Sequence, residues 1–249
     1  MSGKLALMRY TDAHCHAHEF PVDELTAYQN EFDVIVAVSD DFKSSLRTVA
    51  LADKFKFIKA SIGIHPWSLG EINVEEQLHG LEKLIARKEI ICLGEIGLDR
   101  AFTPHTIERQ LTVFRRLLQL AKDYDLAVNL HAAKSWKQVL DEVVAYGIKR
   151  VLFHWYSGPP EILAEISAKG YIISINPTVK VSKKHLIIAK QAPLQTLTFE
   201  SDGPYMYRGM ALKPSLIPET LKLIAKVREL DVLELVTIVN ENLFKFLGI

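Results

Sequence analysis

The chain is short of the features that stabilise proteins outside a hydrophobic core. Only two of its 249 residues are cysteine, Cys15 and Cys92. Two thiols cannot build a disulfide framework, so a reducing compartment is expected. No apolar stretch reaches the roughly 18 residues of a membrane span, and Met1–Tyr10 has no signal-peptide pattern. A cytoplasmic protein without membrane contact is expected. Charge of one sign is also missing: Lys and Arg total 30, Asp and Glu total 30. That balance argues against a broadly basic, nucleic-acid-coating surface, while leaving room for a local basic pocket. No low-complexity segment, linker or compositional break divides the chain, and nothing marks an obligate protein partner. One domain over residues 1–249 is expected.

What is present is 49% hydrophobic residues, ample for a continuous core, arranged as short apolar runs alternating with helical patterns. The runs are Leu5–Tyr10, Asp33–Val38, Phe57–Ile62, Ile90–Gly94, Ala127–Leu130, Arg150–Phe153, Tyr171–Ser174 and Thr196–Phe199. They are rich in Val, Ile, Leu and Phe, as strands buried on both faces are. Between them, Gln110, Phe114, Leu117, Leu118 and Ala121 recur at helical spacing, as do Val139, Val143 and Val144 before the helix stop Gly147. Leu221, Ile224 and Val227 follow Pro218, and Leu235–Leu247 reads as a last helix. Strand–helix alternation implies parallel pairing with right-handed crossovers. The predicted fold is α/β, a TIM (β/α)₈ barrel with C-terminal closing helices. The alternative, a doubly wound open sheet, lacks its G-x-G-x-x-G signature after the first run.

Six potential metal ligands lie at or just past the ends of these runs: His14, His16, Glu95, His131, His154 and Asp202. A barrel delivers all strand ends to one face and so could gather them. His14 and His16 flank Cys15 and point the same way along an extended backbone. Asp12 could orient one of these imidazoles, and His18 reads as a loop histidine. Glu95 sits between Gly94 and Gly97, which let backbones approach closely. A carboxylate in a buried strand needs a positive partner, and one carboxylate can bridge two ions. His131 and His154 close neighbouring runs and suit a second ion. Asp202 would lie beside His14 and His16, where it could hold an ion and take a proton from an activated water. Glu200 reads as a buried partner. His65 could touch substrate or a leaving oxygen.

These segments together resemble the TatD-type deoxyribonucleases of the amidohydrolase superfamily. The likeness is carried by Thr11-Asp12-Ala13-His14-Cys15-His16, Gly63-Ile64-His65-Pro66, Gly94-Glu95-Ile96-Gly97-Leu98-Asp99, His131, His154 with Ser157-Gly158, and Glu200-Ser201-Asp202-Gly203-Pro204. It implies one to three divalent cations (Zn, Mn, Mg or Fe, two being the simplest number). It further implies phosphodiester hydrolysis in DNA, often from the 3′ end, with the six residues as ligands and Asp202 also as base. The chain departs from the family where a basic residue usually follows the fifth-strand histidine by two positions. Here that position is Ala133, with Lys134 next. Ser201 replaces a usual Thr, and Trp155-Tyr156 follows His154.

Catalysis would then rest on Asp202, Glu95 and His65, with Lys134, Lys180, Lys183 and Arg208 as candidate contacts to a phosphate. Trp67, Trp155 and Tyr205 could stack on a base or line an apolar pocket. A rival reading keeps the metals but directs the water at a carbonyl ester, amide or lactone, an aminoacyl-tRNA among them. A third reading, a non-catalytic binding barrel, predicts a missing ligand, and all six positions are filled.

Overall fold

The computed structural model describes residues 8–70, 72–86 and 90–249. Among these, eight strands follow one another around a single sheet in chain order. They are Tyr10–Cys15 (β1), Phe32–Ala37 (β2), Ile58–Ile62 (β3), Cys92–Gly97 (β4), Ala127–His131 (β5), Val151–Phe153 (β6), Ile172–Ile175 (β7) and Leu197–Phe199 (β8). Every neighbouring pair is parallel. The helices are Val22–Tyr28 (α1), Phe42–Lys54 (α2), Val74–Ile85 (α3), Ile107–Asp123 (α4), Trp136–Tyr146 (α5), Pro160–Ala168 (α6), Lys183–Gln191 (α7), Ile217–Arg228 (α8) and Val232–Leu247 (α9). This is a (β/α)₈ barrel, and the open-sheet alternative falls away.

The seam between β8 and β1 is closed just beyond β8. The Asp202 amide donates to the His14 carbonyl at 2.9 Å, and the His16 amide donates to the Gly203 carbonyl at 2.8 Å. Asp12 Oδ1 accepts from the Ser201 amide at 2.9 Å and from the His14 amide at 3.1 Å. Asp12 therefore ties backbone to backbone across the seam rather than orienting an imidazole. Burial pushes its carboxyl up to about 8, against the Ser201 and His14 hydrogen bonds.

Strand alternation sorts the core into two layers. Ile35 and Ala37 pack outward with the helices, while Val34, Val36 and Val38 join Cys92, Ala127, Leu152 and Ile172 in a second cluster. Leu243, Phe246 and Leu247 of α9 belong to that second cluster, sealing the end where β4 and β5 begin. Asp231 starts α9 by accepting from the Leu233 and Glu234 amides at 2.8 and 3.1 Å. Asn242 then fastens the helix to the seam, donating to the carbonyls of Leu194 at 2.8 Å and Leu197 at 2.7 Å. Gly147 ends α5 at φ 71°. Among the described residues no helix is long and apolar enough to cross a membrane.

Two strands differ from expectation by more than one residue at an end. The first predicted run, Leu5–Tyr10, lies partly outside the described residues, and β1 spans Tyr10–Cys15. His14 therefore sits within the strand, not after it. Likewise β4 spans Cys92–Gly97, placing Glu95 inside the strand. The apolar runs stop early because both strands continue into the polar end of the barrel.

Both thiols are fully buried, and burial pushes Cys92 up to about 12 and Cys15 well above the usual thiol range. Neither should react with an aromatic disulfide reagent at pH 8 in the native state, and both should react in denaturant; fast native labelling would contradict this packing. Asn242→Ala should lower unfolding free energy by about 1–3 kcal/mol in a urea titration, the cost of orphaning buried carbonyls.

Candidate metal centre

The barrel interior turns polar where the strands end. Gly94 and Gly97 bring β4 close to β5: a Cβ on Gly94 would lie 2.7 Å from the Asn129 Cβ, and one on Gly97 (φ +146°) would lie 1.9 Å from the His131 carbonyl oxygen. That approach lowers the Glu95 carboxylate into a ring of imidazoles, 1% exposed. The peptide bonds Gly94–Glu95 and Gly203–Pro204 are cis.

The two carboxylate oxygens face different groups. Oε1 is 2.7 Å from His131 Nδ1, 2.8 Å from His154 Nε2 and 3.2 Å from His65 Nε2. Oε2 is 3.3 Å from His14 Nε2 and 3.4 Å from His16 Nε2. Asp202 Oδ1 completes the second group, 3.4 Å from His14 Nε2 and 3.6 Å from His16 Nε2. The structure thus brings all six predicted ligand residues together, with Glu95 between two sets.

The outer nitrogens of these rings decide what the inner ones offer. Asn129 Nδ2 donates to the Ala13 carbonyl at 2.8 Å, so its Oδ1 must accept from His14 Nδ1 at 2.9 Å. His14 Nε2 is left with a lone pair aimed at two carboxylates, and it has no hydrogen-bond partner. Asp99 accepts from Trp67 Nε1 at 2.6 Å and from the Ala101 and Phe102 amides at 2.7 Å. Although burial works against it, the His131 contact and these donors hold its carboxyl well below the usual range. An ionised Asp99 accepts His131 Nε2–H at 2.9 Å, leaving the Nδ1 lone pair facing Glu95 Oε1. Burial works against charge on His131, but Asp99 and Glu95 raise its pKa; inward nitrogens packed this closely against carboxylate oxygens require a proton or a metal cation between them.

The electrostatics agree. Burial favours neutral Glu95, yet His154, His65, His14 and His131 hold its carboxyl well below the usual range. Burial likewise opposes charge on His16 and His154, but Asp40 and Glu95 in one case, and Glu95 and Glu200 in the other, drive both imidazoles well above their usual range. The centre attracts positive charge from every side. Imidazole and carboxylate donors of this kind suit a divalent transition metal.

His65 differs from the other rings. Its Nδ1 accepts from the Trp67 amide at 3.1 Å, so the neutral ring carries its proton on Nε2, which points at Glu95 and His131. It is a hydrogen-bond donor beside the centre, with burial outweighing the pull of Glu95 to keep its pKa below the usual value. Asp202 is held at φ 52°; burial raises its carboxyl to about 6 against the opposing pull of His14, His154 and His16. Glu200 is buried, accepting from Ser174 Oγ at 2.5 Å and the Trp155 amide at 2.9 Å, with Oε1 3.7 Å from His154 Nδ1.

A cavity of about 530 Å³ opens onto these groups, walled by Trp67, Phe102, Trp136, Trp155, Tyr205 and Tyr207. Trp67 meets Phe102 at 5.5 Å, and Trp155 meets Tyr205 and Tyr207 at 5.8 and 5.4 Å between ring centroids. Among the described residues, no Lys or Arg lines it. The predicted phosphate contacts lie elsewhere: Lys180 Nζ is 2.7 Å from Glu219, Arg208 stacks on Tyr207 at 5.3 Å, and neither these nor Lys134 and Lys183 line the cavity. His18 lies in the turn after β1, as a loop histidine would, but is buried, 5% exposed, and bonds the Val38 carbonyl at 3.1 Å. The sequence reading missed Asn129, Asp99 and Asp40. A polar residue between Val128 and Leu130 in a buried strand was the available signal for Asn129.

The chain matches the model of the family described as TatD related DNase over residues 11–248. It is 30% identical to an uncharacterized metal-dependent hydrolase of Methanocaldococcus jannaschii, covering 96% of this chain and 97% of that one. It is 27% identical to deoxyribonuclease TATDN3 of Homo sapiens over 94% of this chain and 93% of the other. The crystal structure of YjjV, a TatD homologue from Escherichia coli, superposes with a TM-score of 0.87 at 25% identity, covering 98% and 99%.

Two substitutions probe the construction of the centre. Asp99→Asn should weaken divalent-metal affinity about 10–100-fold by calorimetric titration, since the His131 proton is no longer fixed. Gly97→Ala should abolish metal binding or folding, and native-like metal uptake by a soluble Gly97→Ala protein would refute the close approach of β4 to β5.

Proposed function

The chain belongs to the TatD related DNase family and is a metal-dependent hydrolase, and from that premise we propose that it hydrolyses phosphodiester bonds of DNA with two divalent cations. The observation that carries this reading is Glu95, whose two oxygens face two separate sets of ligand atoms. His14, His16 and Asp202 would hold one cation with Glu95 Oε2, and His131 and His154 the other with Glu95 Oε1. Zn, Mn, Fe or Mg fits these donors. The bound cations would supply Lewis acidity that makes water a nucleophile near neutral pH.

The chain's own groups supply the rest. Asp202 reaches the centre from the loop after β8, where its free oxygen can accept the proton that the attacking water sheds. His65 Nε2–H can donate to a phosphate oxygen or the departing oxygen. The aromatic walls offer faces on which nucleobases stack without sequence preference. The whole chain acts as one unit, and its two buried, unbridged thiols fit the cytoplasm.

One observation favours a second reading. A cavity lined by no Lys or Arg also suits a substrate with less charge than a nucleic-acid backbone, such as a carbonyl ester, including an aminoacyl ester on RNA.

Chelator-stripped protein should regain cleavage of a 3′-labelled oligonucleotide on addition of Mn²⁺ or Mg²⁺. No rescued cleavage, with turnover of carboxylic esters instead, would transfer the assignment to the second reading. Asp202→Asn should lower kcat by about 10²–10⁴-fold, the contribution of a positioned base; undiminished kcat would remove Asp202 from that role.

A further inference from the structure

Beside the centre, on the cavity side of β1, lies a second group of donors that the two-cation reading leaves unused. Ala17–Glu19 form a single 3-10 turn directly after His16, and Asp40 follows β2. His18 Nε2 is 3.2 Å from Asp40 Oδ2 and 3.9 Å from Glu19 Oε1. His16 Nδ1, buried and without a hydrogen-bond partner, is 3.3 Å from Asp40 Oδ1. Ligand atoms from His16, His18, Glu19 and Asp40 all lie within 4.8 Å of one another.

The state of His18 is constrained. A carbonyl only accepts, so the 3.1 Å contact with Val38 places a proton on Nδ1. In its neutral form the ring therefore turns the Nε2 lone pair toward the Asp40 carboxylate. As at His14 and His131, a lone pair facing a carboxylate needs positive charge between them. The side chain is 6% exposed, so solvent does little to relieve the contact.

The charge of the cavity makes the same demand independently. Among the described residues its lining holds the carboxylates of Glu19, Asp40, Glu95 and Asp202 and no Lys or Arg. Two divalent cations only neutralise these four groups. A phosphodiester is itself anionic and gains negative charge on its oxygens during hydrolysis, so a neutralised cavity offers it no net electrostatic attraction. A third divalent cation leaves two positive charges over.

We propose that His18 Nε2, Asp40 and Glu19 form an accessory divalent-cation site at the cavity wall, linked through Asp40 to His16, and that its cation holds the substrate phosphate in place of the missing basic side chains. One imidazole and two carboxylates leave coordination positions free for water or a phosphate oxygen. The inference rests on the two-cation reading of the main centre.

Titration of chelator-stripped protein with Mn²⁺, followed by calorimetry and by the paramagnetic broadening of ¹⁵N-labelled imidazoles, separates the two. Wild type should take up three equivalents, the weakest broadening the His18 Nε2 signal. His18→Gln and Glu19→Gln should each lose that equivalent and keep the two tighter ones. Glu19 is half exposed, so Glu19→Gln reports even if His18→Gln fails to fold. Saturation of wild type at two equivalents, unchanged stoichiometry in Glu19→Gln, or a His18 ring doubly protonated with Mn²⁺ present would each overturn the accessory site. Uptake of no Mn²⁺ at all would instead overturn the main centre. Steady-state kinetics adds a functional readout: Glu19→Gln should raise KM for an oligonucleotide about tenfold or more and leave KM for an uncharged ester unchanged. Equal KM values for the oligonucleotide would remove the phosphate-holding role.

Discussion

A carboxylate buried among imidazole lone pairs is the constraint on which the rest of this structure depends. Glu95 cannot sit in an apolar barrel as a bare anion, and the nitrogens around it cannot approach unless something positive joins them. Much of the surrounding architecture fixes those nitrogens. Asn129 commits one side of His14 and Asp99 commits one side of His131. Asn129 reaches His14 from β5, across the barrel from β1, and Asp99 reaches His131 from the loop after the neighbouring strand β4. Substituting any one of them changes where a proton sits, and so changes whether a neighbouring lone pair is available.

The backbone accommodates this at a few points. Glycines on β4 let it meet β5 at a separation no side chain permits. Lys134, Trp155 and Asp202 adopt positive φ in the loops after β5, β6 and β8, a conformation that costs non-glycine residues free energy and recurs at functional sites. The barrel seam contributes as well. Backbone hydrogen bonds between the segment after β8 and the end of β1 set Asp202 beside His14 and His16. The bonds that close the barrel are thus the bonds that assemble the centre.

The cavity above the centre is anionic and aromatic, an unusual lining for a phosphate substrate. In a low-dielectric pocket such a lining selects for bound cations first and for a substrate anion only through them. Under the proposed reading, that order lets the chain lack the basic residue expected after His131 while all six candidate ligand positions are filled. Lys180 and Arg208, attractive candidates in sequence, are engaged by Glu219 and Tyr207 instead. A positive side chain in a loop finds the nearest acid or ring, and sequence position does not reveal which.

The strand–helix alternation, the parallel barrel and the six candidate ligand residues were legible in the sequence, because hydrophobic period and strand-end chemistry are local properties. The exact ends of β1 and β4 were not legible, since apolar patterning stops where a strand turns polar to form a site. Asp99 was visible within its motif, but its bond to His131 was not. Asp12 was read as a partner of an imidazole, whereas it bonds amides across the seam. By itself the sequence determined which donors exist and that a closed barrel could gather them. The tertiary structure alone decided which nitrogen of each ring faces inward, that Glu95 divides the candidate ligands into two sets, and that no Lys or Arg among the described residues lines the cavity. Those outcomes depend on contacts between residues far apart in the chain, and a hydrogen bond's direction is settled only when both of its partners are in place.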